Sequence, residues 1–240
     1  MSPPPASSAS RYPGYDVLLK RDTPSWDDVT RDVIDARLAQ RNMPRFFNDA
    51  QWRVLNALCA VLVPHSCQAV SDSGTLRSSQ SSDDVRWADP LVPVAALVDT
   101  KLADDSRDGY RDARLPPLRD AWCIGLAALD IESRNAHQAG FADIDEACQR
   151  ALVKRMQRGE LKDAAWQGMP SDVFFELRAL HDIVAAYYSH PHSWNEIGFG
   201  GPANPRGYVR MQANRRDPWE AAEAHPGDEA RAHKENRRAR

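Results

Sequence analysis

Three histidines and one glutamate near the C-terminal end are the residues best suited by type to bind a metal ion. They are His181, His190, His192 and Glu196, and they span sixteen residues. Imidazole and carboxylate groups are common ligands of transition metals. Side chains meet on one helix face when they lie three or four residues apart, whereas His181 and His190 are nine apart. This spacing indicates that the four residues are polar residues around the end of a helix. The alternative is a stand-alone metalloenzyme that binds its metal through all four.

The glycines and cysteines give little support to other common chemistries. Gly198, Gly200 and Gly201 have a spacing that is typical of dinucleotide-binding turns, but such a turn follows a strand, and here a helical pattern precedes it. The four cysteines include no CxxC pair of the kind that binds zinc. We therefore predict no catalytic residue, no cofactor and no metal ion in this chain.

The stretch from Ser193 to Arg210, SWNEIGFGGPANPRGYVR, indicates a rigid and irregular loop because it contains four glycines and two prolines. Its aromatic residues and arginine are of the types enriched at protein interfaces. The loop either caps the helices or contacts a partner. We assign it to partner binding, through Trp194, Asn195, Glu196, Phe199, Gly200, Gly201, Pro205, Arg206 and Tyr208.

Helical segments must position this stretch. Six segments repeat apolar residues at helical spacing, and none shows the alternation of a strand. Their predicted starts are Ser25, Asn48, Asp89-Pro90, Pro116-Pro117, Asp143 and Pro170-Ser171. The last helix is predicted to end at Pro191, with a core face of Val173, Leu177, Leu180, Val184 and Tyr187. We predict an all-α fold, a single irregular bundle of about six helices with a long Gly/Pro-rich C-terminal loop.

The first of these helices is apolar on two sides. Val29, Val33 and Ala36 share one side, while Ile34 and Leu38 lie roughly opposite. Such a helix is sandwiched either within its own domain or against a partner, and the buried helix is the preferred interpretation.

Composition separates this helical region from polar segments. Those segments are rich in Pro, Ser or mixed charges, and they bury too little apolar surface to offset their chain entropy. We predict a disordered N-terminus over residues 1–11 and a helical domain over 12–210. A flexible insertion covers 70–84, and a charged, extended tail covers 211–240.

Charge and hydropathy argue against two classes of protein. The chain has 31 Lys and Arg against 34 Asp and Glu, a net charge of -3, whereas nucleic-acid-binding domains are usually basic. No apolar run reaches the roughly 20 residues of a membrane span. The first residues, MSPPPASSASRYPG, lack the parts of a secretory signal. We expect a cytoplasmic protein, or a periplasmic one only if a partner that carries the signal exports it.

The C-terminal stretch resembles the closing signature of the gluconate 2-dehydrogenase subunit 3 family. The resemblance is carried by YYSHP from Tyr187, WNEIGFGGP from Trp194 and PRGY from Pro205. Phe46-Phe47 and the helix that follows are similar to the family's opening helix. The resemblance covers roughly residues 44–210.

This resemblance implies a small, noncatalytic, largely helical subunit of an oxidoreductase complex. Its partner would be a large flavoprotein of the glucose-methanol-choline type, which holds FAD and oxidises a sugar, sugar acid or glycoside. A cytochrome c subunit would complete some such complexes. The small subunit would stabilise and mature the large one. A cytoplasmic helical adaptor that uses the charged tail is the remaining alternative.

Overall fold

The fold is α-helical throughout the part of the chain that the computed structural model describes, which is residues 10–64, 91–106, 109–204, 207, 213 and 215–239. These residues form α-helices, short 3₁₀ turns and one π-helical segment, joined by loops, and they contain no β-strand. The all-α class predicted from the sequence is therefore confirmed. Among the described helices, none is both long enough and apolar enough to cross a membrane. The chain divides into two compact units, a terminal unit (Met1–Ala39 with Tyr188–Arg240) and a central unit (Gln40–Tyr187).

The central unit is a helical bundle. Its helices are α2 (Asp49–Leu62), α3 (Val94–Ala103), α4 (Leu118–His137), α5 (Glu146–Gln157) and α6 (Ser171–Phe174), then a π-helical segment (Phe175–Leu180) and α7 (His181–Tyr188). Helix α2 contacts α3, α4 and α5. Large apolar side chains, among them Leu55, Leu58, Trp122 and Phe174, are completely buried between these helices. Their removal from water is the main favourable term in the folding of this unit.

Local signals fix the start of α2. Asn48 and Gln51 form the predicted capping box, because the Asn48 side chain accepts from the Gln51 amide at 2.9 Å and the Gln51 side chain accepts from the Asn48 amide at 3.3 Å. Just before it, the completely buried Asp99 carboxylate accepts hydrogen bonds from the amides of Arg45, Phe46 and Phe47. A side chain of α3 thus fixes the backbone of the residues that lead into α2.

The predicted core face of the last long helix is correct at its two ends and at Leu177, which is partly buried against the core, but it is wrong at Leu180. Val173 and Tyr187 are buried, but Leu180 is 36% exposed and Ile183 is buried instead. The cause is the π-helical segment between α6 and α7. Its hydrogen bonds join residues five apart, so it takes about one more residue per turn than an α-helix and rotates the later residues to a new face.

The terminal unit brings the two ends of the chain together. Its elements are a 3₁₀ turn (Val17–Lys20), α1 (Asp28–Leu38), α8 (Pro191–Ile197) and α9 (Glu229–Asn236). The 3₁₀ turn and α1 both contact α8. The core of this unit consists of Tyr15, Val17, Trp26, Ile34, Trp194 and Ala239.

Two predicted helix caps are wrong by two residues. Ser25 and Asp143 are not caps: Asp27 caps α1 and Asp145 caps α5, each accepting from the amide three residues later. Asp27 and Asp145 have extended backbone and lie at the right distance ahead of the helix. In each case an aspartate two residues further along the chain caps the helix instead of the predicted residue. The Asp89-Pro90 start lies outside the described residues, and α3 begins at Val94.

The predicted extended tail is folded over its described residues 215–239. Asn236 is completely buried, accepts from the Ala222 amide at 2.6 Å and donates to the Pro13 carbonyl at 3.0 Å. The Ala224 amide also donates to the Arg11 carbonyl at 2.9 Å. This packing uses small alanines and one asparagine, which a count of large apolar residues overlooks. The predicted insertion over 70–84 lies outside the described residues, as do residues 1–9 of the predicted disordered N-terminus.

Candidate functional site

The first part of the predicted partner-binding stretch is a helix rather than a loop. Pro191 does not simply end the preceding helix, which stops at Tyr188, but is the first residue of α8. Proline is tolerated there because the first turn needs no backbone N–H and its fixed φ suits a helix. His190 precedes it as the N-cap and accepts from the His192 amide at 3.4 Å. Gly198 ends α8 in the left-handed conformation, with φ of 67°.

Trp194 anchors α8 inside the terminal unit. Its side chain is 3% exposed and belongs to the same core as Trp26. The indole Nε1 donates to the Tyr188 carbonyl at 2.7 Å, and the Phe199 ring packs edge-on at 5.5 Å between centroids. In this structure Trp194 is a buried residue that holds α8 in position. Its predicted contact with a partner stays a prediction.

Gly201 lets the backbone after α8 approach that core closely. Its φ is +71°, and a Cβ atom there would lie 2.9 Å from Trp26 Cζ2 and 3.2 Å from Val17 Cγ2. Distances below 3.0 Å essentially never occur for real Cβ atoms. Both the conformation and the space therefore require glycine at this position.

Lys20 ties three segments of the terminal unit together, and sequence reasoning missed it. The side chain is completely buried. Its ammonium group donates to the Gly200 carbonyl at 3.1 Å, the Trp219 carbonyl at 2.5 Å and the Tyr15 hydroxyl at 3.0 Å. A lysine is almost never fully buried, so nothing in its local sequence, VLLK, signals this role.

Asn195 joins α8 to the 3₁₀ turn. Its Oδ1 accepts from the Val17 amide at 2.8 Å, and its Nδ2 lies 3.5 Å from an oxygen of Asp16. Asp16 itself caps the turn through the Leu18 amide at 3.0 Å. Asn195 is therefore committed to holding the scaffold.

Glu196, Ile197 and Phe199 face outward from this scaffold, and we call them the α8 surface. Ile197 is 45% exposed and Phe199 is 38% exposed, and Glu196 is also exposed. They combine an apolar patch with one acidic group on a backbone fixed by buried contacts. The other predicted partner-binding residues, Pro205, Arg206 and Tyr208, lie outside the described residues.

The structure brings two of the candidate metal ligands together. The His190 and His192 rings lie 5.1 Å apart between centroids. Burial lowers the pKa of His190 to about 4 and also lowers the pKa of His192, so both rings are neutral at pH 7. His181 instead lies 3.1 Å from the Asp182 carboxylate in the central unit. Within the described ranges, no three or more His, Cys, Asp or Glu side chains are grouped so that they could hold a metal.

The central unit contains a cavity of about 530 Å³ beside the π-helical segment. Its described lining includes Tyr110, Arg119 and the buried Arg178, but no serine, cysteine or histidine. Arg119 donates to the carbonyls of Leu102 and Ala103 at 2.8 and 3.0 Å, which satisfies the end of α3. The described lining of this cavity therefore contains neither the serine–histidine nor the cysteine–histidine pair of common hydrolases.

The described part of the chain is helical and carries a fixed, partly apolar outer surface. The family model for gluconate 2-dehydrogenase subunit 3 matches residues 49–201, which is more than half of the chain. The chain belongs to the gluconate 2-dehydrogenase subunit 3 family, as its C-terminal stretch indicated. Members of this family are small subunits of dehydrogenase complexes, so this chain is a small subunit that has a partner subunit. No match was found among curated proteins or among solved structures.

Proposed function

We propose that this chain is a noncatalytic small subunit that binds a large FAD-dependent dehydrogenase and holds it in its folded, flavin-loaded form. The observation that carries the proposal is the α8 surface, which presents Ile197 and Phe199 from a rigid scaffold in a chain of this family. Apolar and aromatic side chains at the centre of an interface supply most of its binding energy.

The scaffold beneath the α8 surface supports tight binding. Trp194, Asn195 and Lys20 hold the backbone of α8 and of the following residues through buried contacts. A surface that is already ordered loses little conformational entropy when a partner binds. The proposed binding surface is therefore ordered before a partner binds.

The chemistry belongs to the partner in this proposal. The large subunit is a flavoprotein of the glucose-methanol-choline type, holds FAD and oxidises a sugar, sugar acid or glycoside, and a cytochrome c subunit accepts electrons in some complexes. A protein that binds only the folded state of the flavoprotein stabilises it by mass action, by about 2.7 kcal/mol at a hundred times the Kd. This stabilisation is the function of the small subunit.

Co-expression with the large subunit tests the proposal. Ile197→Asp places a charge on the α8 surface, and we expect about 30-fold weaker binding, or about 2 kcal/mol, with less soluble and less flavin-loaded partner. Tyr110→Asp, at an 83% exposed aromatic residue of the central unit, is the matched control and should leave binding unchanged. The proposal fails if the large subunit is equally soluble, flavin-loaded and active without this chain.

A further inference from the structure

Helix α1 has a second apolar side that the terminal unit leaves uncovered. Ile34 points into the core and is completely buried, whereas Val29 is 70% exposed and Val33 is 46% exposed. Ala36 is exposed too. Positions 29, 33 and 36 recur at helical spacing, so they form one stripe along the helix. We call these three residues the α1 stripe.

Both ends of α1 are bonded to the segment that carries the α8 surface. At the first end, the Asp27 amide donates to the Asn204 carbonyl at 2.9 Å, and the Asn204 side chain donates to the Asp27 carboxylate at 2.5 Å. At the other end, the Arg37 guanidinium donates to the Ser189 carbonyl at 2.7 Å. Helix α1 is therefore fixed to residues 189 and 204, which lie before and after the α8 surface in the chain.

Acidic residues border the α1 stripe. Asp28 and Asp32 are both exposed and lie four residues apart, directly before Val29 and Val33. Arg31, the basic residue between them, bonds to Asp28 and turns its other nitrogen to the Trp26 carbonyl at 2.6 Å. The outward side of α1 is therefore apolar with an acidic edge, and its complement is an apolar groove with a basic rim.

Interface size also requires more than the α8 surface. A stable interface usually buries about 800 Å² on each partner and includes some 20 to 30 residues. The α8 surface supplies three residues. Helix α1 contacts α8 and presents further apolar groups, so it is the natural extension of the interface. It lies outside the family match over residues 49–201.

We propose that the α1 stripe docks into an apolar groove with a basic rim on the large dehydrogenase subunit that also binds the α8 surface. The mode is that of an amphipathic helix in a groove, with anchors at positions 29, 33 and 36. This inference rests on the proposed function and adds to it a second contact surface.

Photo-crosslinking of the complex separates the two proposals. A benzoylphenylalanine is placed at position 29 or 33 to probe α1, at 199 to probe the α8 surface, or at 110 as the control. We expect crosslinks to the large subunit from 29, 33 and 199 but not from 110. Crosslinks from 199 alone, or crosslinks from 29 and 33 only to a second copy of this chain, overturn the α1 inference and leave the proposed function intact. Failure of every position together with failure to form a complex refutes the proposed function.

A double substitution measures the contribution of the α1 stripe. Val29→Asp with Val33→Asp should weaken the complex at least tenfold, while the thermal midpoint of the isolated chain stays the same because both side chains are exposed. The matched control is Met43→Asp with Tyr110→Asp, which adds the same two charges at exposed apolar residues of the central unit. Equal weakening by both pairs means that net charge is responsible and overturns the inference.

Discussion

Replacing Gly201 with alanine tests how closely the backbone after α8 approaches the core of the terminal unit. The new methyl group would lie 2.9 Å from Trp26 Cζ2, 3.2 Å from Val17 Cγ2 and 3.4 Å from Trp194 Cζ3. All three neighbours belong to buried side chains of the same core, so none can swing into solvent. The core must shift to admit the methyl group.

Two terms add to the cost of Gly201→Ala. The left-handed backbone, with φ of +71°, costs an alanine about 1–2 kcal/mol. Overpacking a core typically costs a further 1–3 kcal/mol, roughly. Gly207→Ala is the matched control, because Gly207 has φ of +79° and no atom of a described residue lies within 4 Å of the added methyl group. Gly207→Ala therefore has the backbone cost but not the overpacking cost. Alanine also lowers the entropy of the unfolded chain, and this effect is the same in both variants and cancels.

Urea unfolding followed by tryptophan fluorescence measures both variants. We expect Gly201→Ala to lower the free energy of unfolding by about 1–3 kcal/mol more than Gly207→Ala, with similar m-values. Equal losses for the two glycines would refute the close approach of Gly201 to the core. A Gly201→Ala variant as stable as the unmodified chain would refute the backbone geometry as well.

Three other buried groups give further predictions. Lys20→Met leaves the Gly200 and Trp219 carbonyls without their shared donor and should cost about 2–4 kcal/mol of unfolding free energy. Asp99→Asn replaces an acceptor of three amides with a group that also donates, and should cost about 2–3 kcal/mol by thermal denaturation. The pKa of His190, lowered to about 4 by burial, lies below the unfolded value of 6.5, so the unfolded chain binds more protons between these values. Stability should therefore fall as the pH drops from 6.5 towards 4, and His190→Gln should flatten that fall.

Exposed positions provide the controls for these variants. Asp22→Asn, at an 87% exposed carboxylate, should leave stability unchanged when Asp99→Asn lowers it. A neutral outcome for Lys20→Met would contradict the predicted cost of leaving these carbonyls without their shared donor. His190→Gln that leaves the pH dependence unaltered would assign the loss of stability at low pH to other groups.

Features that depend on neighbouring residues could be predicted from the sequence. The all-α class follows from apolar spacing, and the capping box of Asn48 and Gln51 follows from two residues three apart. The start of α4 after Pro116-Pro117 is equally local and is observed at Leu118. The family was recognisable because the residues around Trp194 form a long and specific motif, and the match over residues 49–201 confirms the family.

Features that depend on distant residues could not be predicted. Lys20 bonds to a carbonyl 180 residues away, and no local pattern marks it. Asn236 folds the C-terminal segment through the Pro13 carbonyl at the other end of the chain. Leu180 was assigned to the core on α-helical spacing, and the π-helical segment that moves it outward has no sequence signal of comparable strength. The sequence shows that α1 has apolar residues on two sides. Which of these sides is covered depends on α8, which is distant in sequence.

Purification of the tagged chain from its own host tests the central claim most directly. The peak from size-exclusion chromatography is examined by absorbance and by mass spectrometry, for the unmodified chain and for Ile197→Asp. The account predicts that the unmodified chain elutes with a larger dehydrogenase subunit that shows flavin absorbance, and that Ile197→Asp loses this subunit. An unmodified chain that elutes alone and colourless would contradict the account.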